Sequence, residues 1–348
     1  MKIFHVTFGL KLGGLETMLV NIANEQVKTE NVAIVLVNNL IDRDLLSKIS
    51  NKVKVYNLGR KAGSHSPWPA IKLNFLLLKE SPDVIHVHAP NVSALLLPLL
   101  MKKTVYTVHD VTINKKYFSR FPHMYSIAKC VEHDVKMRSG YEAPVIYNGI
   151  NVDEIKCMRH HRSKIFKIIQ VSRLIHEKKG QDILIKAIYK LRQKGINNIN
   201  IDFVGEGISK SYLESLISEL KLSDSVRLLG SKPYSWVTQH LCNYDLLVQP
   251  SLFEGFGLTV AEGMAAKTPV LVSDIDGPME IIDNGKYGLY FSKGNIKECA
   301  DMIERVINMN ETELITLTEL AWHHVNENFN IKRTAQRYID AYKKIRRL

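Results

Sequence analysis

Residues 249–282, QPSLFEGFGLTVAEGMAAKTPVLVSDIDGPMEII, constrain the fold more than any other stretch of the chain. Leu246, Leu247 and Val248 are apolar and run into Pro250, which ends a strand. Glu254-Gly255-Phe256-Gly257 is a turn whose glycines permit positive φ and close approach of a ligand to the backbone. A helix is predicted from Leu258, with Val260, Ala261, Met264 and Ala265 on one face, and Pro269 opens the next strand. Strand, tight turn, helix, strand is the unit of a doubly wound α/β sheet. Glu254 then stands just before a helix N-terminus and Glu262 a little over one turn inside it. Unpaired N–H groups and the helix dipole make that terminus an anion site. Carboxylates beside it accept hydrogen bonds from hydroxyls. The ligand so described is phosphorylated and polyhydroxylated, as a nucleotide sugar is. The plainer alternative makes Glu254 a charge that complements the dipole and Glu262 a solvated residue.

Length points to two domains, since 348 residues exceed what one core usually serves. The net charge of +12 is uneven. Residues 1–160 hold 21 Lys+Arg against 13 Asp+Glu, or +8, which leaves 26 against 22, or +4, for residues 161–348. A basic N-terminal half suits an anionic membrane surface, a nucleic acid or a phosphorylated acceptor. Cys130, Cys157, Cys242 and Cys299 have neither CxxC pairing nor zinc-like spacing, as expected of a reduced, cytoplasmic protein. Residues 1–14 read as strand and glycine loop rather than a signal peptide, and the longest apolar run, 92–101, is too short to span a bilayer. Peripheral contact with a membrane stays open.

In chain order, residues 2–8 are strand-like, residues 9–14 a glycine loop, and Glu16 opens a helix with Met18, Leu19, Ile22, Ala23 and Val27 on one stripe. The loop is not GxGxxG, and no acidic residue follows at ribose distance, so Gly13 and Gly14 suit either phosphate approach or a plain turn. Further strands are predicted at 32–37, 53–57, 83–88 and 104–110, with a helix over 70–78 and a buried helix over 94–101. His86 and His88 alternate on one strand face, but no third ligand is evident near them, so no metal site is expected. His109, at a strand's carboxyl end, is the better catalytic candidate, against a core histidine bonded to a carbonyl. Residues 115–123, KKYFSRFPH, could face nucleic acid, a membrane or an acceptor's phosphates. Residues 145–151 read as a strand and turn before a polar linker at 153–163.

The pattern then restarts: strands at 165–172, 199–204 and 226–230, helices at 183–194, 212–220 and 236–242. Arg173 and Lys179 flank a helix start at a strand end, where two fixed cations would neutralise a leaving diphosphate; solvated loop charge is the alternative. Residues 331–345 form a basic amphipathic helix suited to packing across both domains.

Taken together, these motifs resemble the GT-B glycosyltransferases of family 4, the group 1 glycosyltransferases, a large retaining group. The resemblance runs over nearly the whole chain. It rests on Gly13-Gly14-Leu-Glu16, His86-Val-His88, Val108-His109-Asp110, Tyr147-Asn148-Gly149-Ile150, Ser172-Arg173-Leu174 with Lys179-Gly180, Gly205-Glu206-Gly207, Glu254-Gly-Phe-Gly257 with Glu262, and Asn284-Gly285. It implies two Rossmann-like doubly wound parallel sheets facing an interdomain cleft. The expected divisions are an acceptor domain at 1–158, a nucleotide-sugar domain at 159–330, and a helix at 331–348 packing back on the first.

The resemblance also implies roles. Glu254 would bind donor-sugar hydroxyls and steady developing charge, and Glu262 the ribose hydroxyls. Arg173 and Lys179 would hold the diphosphate with the backbone of Gly13, Gly14, Phe256, Gly257, Leu258 and Thr259. His109 would stand near donor sugar and acceptor hydroxyl, with Glu16, Asn148 and Gly205 lining the substrate sites. No metal or other cofactor is implied. The expected partners are a nucleotide-sugar donor, with UDP the commonest carrier, and a glycan or lipid-linked acceptor of bacterial surface-polysaccharide assembly. Peripheral contact with the inner membrane is compatible; nucleic acid is not expected. The chain departs from the family at Lys178-Lys179, a doublet, at Asn151 in place of aspartate, and at Gly263 in place of alanine. Asp274-Ile-Asp276 looks like a metal-binding DxD, but its place in the chain argues coincidence. A nucleotide-sugar 2-epimerase and a non-catalytic carbohydrate-binding partner subunit are the alternatives.

Overall fold

The computed structural model describes residues 1–11, 13–64, 66–157 and 164–346. They form two compact units. Met1–Asn151 with Phe329–Leu348 is the first and Val152–Asn328 the second. The division expected at 158/159 lies outside the described residues.

In the first unit β1 (Lys2–Thr7), β2 (Asn31–Asn38), β3 (Lys54–Arg60), β4 (Val84–Val87), β5 (Thr104–Val108) and β6 (His123–Ser126) alternate with α1 (Gly14–Gln26), α2 (Arg43–Ser47), α3 (Trp68–Glu80), α4 (Pro98–Met101) and α5 (Lys129–Ser139). The sheet order is β3-β2-β1-β4-β5-β6, with every pair parallel. Strand β2 is buried along all but its first residue, as expected of a parallel strand covered on both faces. Asp42 caps α2 by accepting from Leu45 N.

The second unit repeats the plan. Its strands are β7 (Phe166–Val171), β8 (Ile199–Val204), β9 (Val226–Leu228), β10 (Leu246–Gln249), β11 (Val270–Ser273) and β12 (Leu289–Phe291). Between and after them come α6 (His176–Lys179), α7 (Gln181–Gln193), α8 (Lys210–Glu219), α9 (Tyr234–His240), α10 (Leu258–Ala265), α11 (Asp276–Ile281), α12 (Ile296–Asn308) and α13 (Glu311–Asn328). The order β12-β11-β10-β7-β8-β9 is the same doubly wound order, again all parallel. Helix α14 (Ile331–Arg346) belongs to the first unit. Its Ile331, Tyr338, Ala341 and Tyr342 share a core with Ile3, Met18, Ile22, Val84 and Val105.

Two sequence expectations need correction. Residues 94–101 are not one buried helix: a 3-10 turn ends at Ala94, and Pro98, which has no N–H to donate, starts a separate turn with Leu97 and Leu99 exposed. Residues 145–151 are not a strand; Val145 and Ile150 make single bridges to Ser126 and Asn330. In the segment 115–123 Lys115, Lys116 and Arg120 are exposed while the phenylalanines turn inward. Phe118 and Phe121 are buried, the latter stacked on Tyr106 at 4.7 Å between centroids.

Candidate active site

In each sheet the strand order reverses once, between β1 and β4 in the first unit and between β7 and β10 in the second. Open α/β sheets bind ligands just beyond the carboxyl ends of the strands at such a reversal. The chemistry-bearing residues collect at both.

At the reversal of the second unit, α6 follows β7 and the turn into α10 follows β10. Lys178 O accepts from Leu252 N and Phe253 N at 2.9 and 3.2 Å, which staples the two loops together. Gln170, on β7, donates to Lys179 O at 2.8 Å. Gly180 follows with φ +65°, and a Cβ there would lie 2.0 Å from Pro250 O. Only glycine fits that left-handed, crowded place. The result is a direct pair: Lys179 Nζ donates to Glu254 Oε2 at 2.5 Å, with both side chains mostly buried. Ser251 Oγ at 3.2 Å and Gln249 Nε2 at 3.4 Å donate to the same oxygen. Glu254 Oε1 has no protein donor among the described residues. Lys179 also keeps two of its three N–H groups for a ligand. Arg173 is exposed and makes no ion pair among the described residues.

Gly257 caps α10 from φ +105° and supplies no side-chain bond. The first helical N–H to find an intrahelical acceptor is that of Val260, bonded to Gly257 O at 2.9 Å. The N–H groups of Leu258 and Thr259 therefore point out of the helix start as free donors. Phe256 is buried, and Thr259 Oγ1 reaches Val171 O at 3.4 Å. Glu262 is 8% exposed, and burial pushes its carboxyl up to about 8, against which a bond from Tyr234 pulls weakly down. At neutral pH it is a carboxylic acid, able to donate one hydrogen bond and accept others. At Gly263 a Cβ would meet Leu247 and Val270 at 3.0 Å, so glycine seats α10 close on the sheet. Gly205, at φ +139°, has the same kind of role, since its Cβ would lie 2.0 Å from Ser172 O. Asp274 accepts from Lys293 N at 2.6 Å and Asp276 opens α11; the two are not part of a metal-ligand group among the described residues.

In the first unit Gly13 is the N-cap of α1, with extended φ of −175°, and Gly14 is its first residue. A Cβ on Gly13 would lie 2.7 Å from Glu16 Oε2, so the Glu16 carboxylate already stands against this helix start. An anion approaching Gly13 and Gly14 meets that charge. Asn148 is buried, with Oδ1 unbonded among the described residues. Its neighbour Gly149 lies against α14, where a Cβ would fall 2.5 Å from Thr334 Oγ1.

His86 and His88 do have a third histidine near them, contrary to expectation. The ring nitrogens of His5, His86 and His88 lie within 4.8 Å of one another. All six already have hydrogen-bond partners. His5 meets Gln26 at 2.8 Å and His88 at 3.0 Å, His88 meets His109 at 3.2 Å, and His86 meets Thr107 at 2.7 Å and Tyr342 at 2.5 Å. A metal ion would have to displace these bonds. Burial lowers His109 to about 3 and His5 to about 4, and holds His86 and His88 well below their usual value. The rings are neutral at pH 7.

Arg173, Lys179, Gly205, Phe256, Gly257, Leu258, Thr259, Glu254 and Glu262 thus belong to the second unit, and Gly13, Gly14, Glu16, His109 and Asn148 to the first. Sequence reasoning missed Gln249, Ser251 and Tyr234, which hold the two carboxylates, and His5 and Gln26 behind His109. Polar residues within or beside apolar runs carry no period that separates a supporting bond from core filling. His5 and Gln249, inside β-branched strands, were the available signal.

Residues 153–315 match the family model for glycosyl transferases group 1, and residues 12–154 match that for glycosyltransferase family 4. An uncharacterized glycosyltransferase of Methanocaldococcus jannaschii is 27% identical over 293 residues, 80% of this chain and 76% of the relative. A glycosyltransferase from Rickettsia africae superposes with a TM-score of 0.83 at 21% identity, over 99% of this chain and 98% of the other. Anabaena HepE, solved with UDP and glucose, gives 0.80 at 21% identity over 99% and 100%. The fold is GT-B, and on family models that together take in residues 12–315 the chain belongs to the group 1 glycosyltransferases.

Proposed function

We propose that the protein is a retaining, metal-independent hexosyltransferase that moves a sugar from a UDP-sugar to a lipid-linked oligosaccharide or similar glycan. The observation that carries this is the Lys179–Glu254 pair beside the open start of α10. Lys179, with two donors left over, and Arg173 take the diphosphate together with the N–H groups of Leu258 and Thr259. Glu254 Oε1 takes a hydroxyl of the donor sugar and faces positive charge as it develops at the anomeric carbon. Glu262, neutral and bonded by Tyr234, takes the ribose hydroxyls. His109 serves a hydroxyl of the sugar or the acceptor. The leaving phosphate oxygen accepts the acceptor's proton on the face it departs from, so configuration is retained and no protein nucleophile is needed. HepE, of the same fold, was solved with UDP and glucose, which is the reason to try uridine donors first.

The lipid-linked acceptor, of the kind used in bacterial O-antigen or capsule assembly, is supported by one exposed surface. On α3, Trp68, Ile71, Phe75 and Leu78 are 65, 52, 67 and 47% exposed, and Leu97 and Leu99 are exposed as well. Asn74 joins these two stretches by bonds to Leu95 O and Leu97 N. Lys72, Lys79, Lys102 and Lys103 are also exposed on these stretches, as suits a peripheral contact with anionic lipid. Among the described residues no helix is long and apolar enough to cross a membrane.

The test is transfer itself. Purified protein is incubated with UDP-sugars and polyprenyl-diphosphate-linked acceptors, with excess EDTA, and the product's anomeric configuration is read by NMR. The expected product keeps the donor's configuration and forms at an undiminished rate in EDTA. An inverted product, loss of activity in EDTA, or donor turnover without acceptor, as a 2-epimerase would give, contradicts the proposal.

A further inference from the structure

Behind His109 runs an ordered line of polar groups. His5 lies on β1, His88 just past β4 and His109 just past β5, three strands that are neighbours in the sheet. The line starts at Gln26, the last residue of α1. Gln26 Oε1 meets His5 Nε2 at 2.8 Å, His5 Nδ1 meets His88 Nε2 at 3.0 Å, and His88 Nδ1 meets His109 Nε2 at 3.2 Å. Gln26, His5 and His88 are buried; only His109 is partly exposed.

A neutral imidazole has one donor and one acceptor nitrogen, so the line has only two proton arrangements, and either end fixes all of it. The amide oxygen of Gln26 can only accept. Facing it, His5 carries its proton on Nε2 and accepts at Nδ1 from His88 Nε2–H. His88 then accepts at Nδ1 from His109 Nε2–H, and His109 is left with a lone pair on Nδ1. If the Gln26 amide turned over, its NH2 would donate to His5, every proton would change nitrogen, and His109 would present N–H instead. Gln26 Nε2 is buried with no hydrogen-bond partner among the described residues, so the direction of the line is set by Oε1 facing His5. Depressed protonation of all the rings keeps them neutral at pH 7, which the two-state arrangement requires. His86 stays outside the line. Its nitrogens are held by Thr107 and Tyr342, while its ring lies on that of His88 at 4.1 Å and limits how His88 can turn. Burying an amide and several imidazoles costs free energy that an apolar core would not.

We propose that Gln26 is a positioning residue for the transferase: through His5 and His88 it holds His109 in the Nε2–H tautomer, so that Nδ1 accepts a hydrogen bond from a substrate hydroxyl. This rests on the role given to His109 above. Gln26 touches no substrate and acts from three groups away.

The test combines a tautomer measurement with kinetics. Full-length protein carrying 15N-histidine is studied without substrates by long-range 1H–15N correlation at about pH 7.5, with His109 assigned by its loss in His109→Asn. The wild type is expected to show His109 protonated on Nε2. Gln26→Met, close to glutamine in volume, is expected to give a mixture of tautomers and to lower kcat about tenfold, the worth of one lost hydrogen bond, at unchanged donor KM. Gln26→Glu, which keeps an acceptor oxygen before His5, is expected to keep the Nε2–H tautomer and to remain active. It serves also if Gln26→Met does not fold. A wild-type His109 protonated on Nδ1, a folded Gln26→Met with an unchanged tautomer, or a Gln26→Glu that loses the Nε2–H form overturns the proposal. Because the spectrum needs no substrate, absence of transferase activity in the wild type would count against the proposed function alone.

Discussion

At the scale of single residues, the second unit sets two carboxylates of opposite character on either side of the start of α10. Glu254 is ionically paired with Lys179, whereas burial keeps Glu262 protonated. The difference has a pH signature. The folded value of about 8 exceeds the unfolded value near 4.5, so the native state holds a proton that the unfolded chain releases between them. That stability is fully present below about pH 4.5 and is lost as pH rises towards 8, at about 1.4 kcal/mol per unit crossed. Glu262→Gln removes the titration. It is expected to gain in melting temperature over the wild type from about pH 5 to pH 8.5; an unchanging difference would show that Glu262 titrates normally. The two glutamates were legible in the sequence from their spacing around a glycine turn. Their protonation states were not, because they depend on Tyr234, Ser251 and Gln249, brought close only by folding.

Elements decide where these side chains point. Lys179 meets Glu254 because α6 and the loop after β10 share backbone bonds, and Gly180 makes room for Pro250 O at 2.0 Å from where a Cβ would stand. Gly180→Ala forces a left-handed residue into that contact. The left-handed backbone alone costs about 1–2 kcal/mol, and the clash adds to it. The expected result is a clear loss of stability together with loss of donor binding; a variant as stable as the wild type would show that α6 and this loop are free to move apart. Strands and helices of the doubly wound units were readable from apolar runs punctuated by glycine and proline. The failures came where period misleads. Residues 94–101 are apolar enough for a helix, but Pro98 interrupts it. The exposed apolar face of α3 is the surface to test. Sedimentation with vesicles of anionic phospholipid should carry the protein down, and Phe75→Ser with Trp68→Ser should leave it in solution. Equal binding of the double variant would remove α3 from the contact.

For the whole molecule, the two units repeat one strand order, and each gathers its polar residues at the reversal of that order. They differ in how they respond to acid. His5 and His109 are lowered to about 4 and 3, and His86 and His88 lie well below 6.5. The unfolded chain therefore binds protons that the first unit refuses as pH falls below 6.5. Stability present above that value is lost towards pH 4, at up to about 1.4 kcal/mol per pH unit for each histidine. A first unfolding transition that moves steeply downward over this window is expected, and a flat profile would contradict burial of the cluster. The most direct test of the central claim, that the second unit binds the donor through its strand-order reversal, is calorimetric titration of UDP-glucose and UDP into wild type, Lys179→Met and Glu262→Ala. Wild type is predicted to bind at least one of the two, and both variants to bind it about tenfold or more weakly, as loss of a charge-assisted or buried hydrogen bond implies. Binding of equal strength in all three proteins would contradict it, and so would no binding by the wild type.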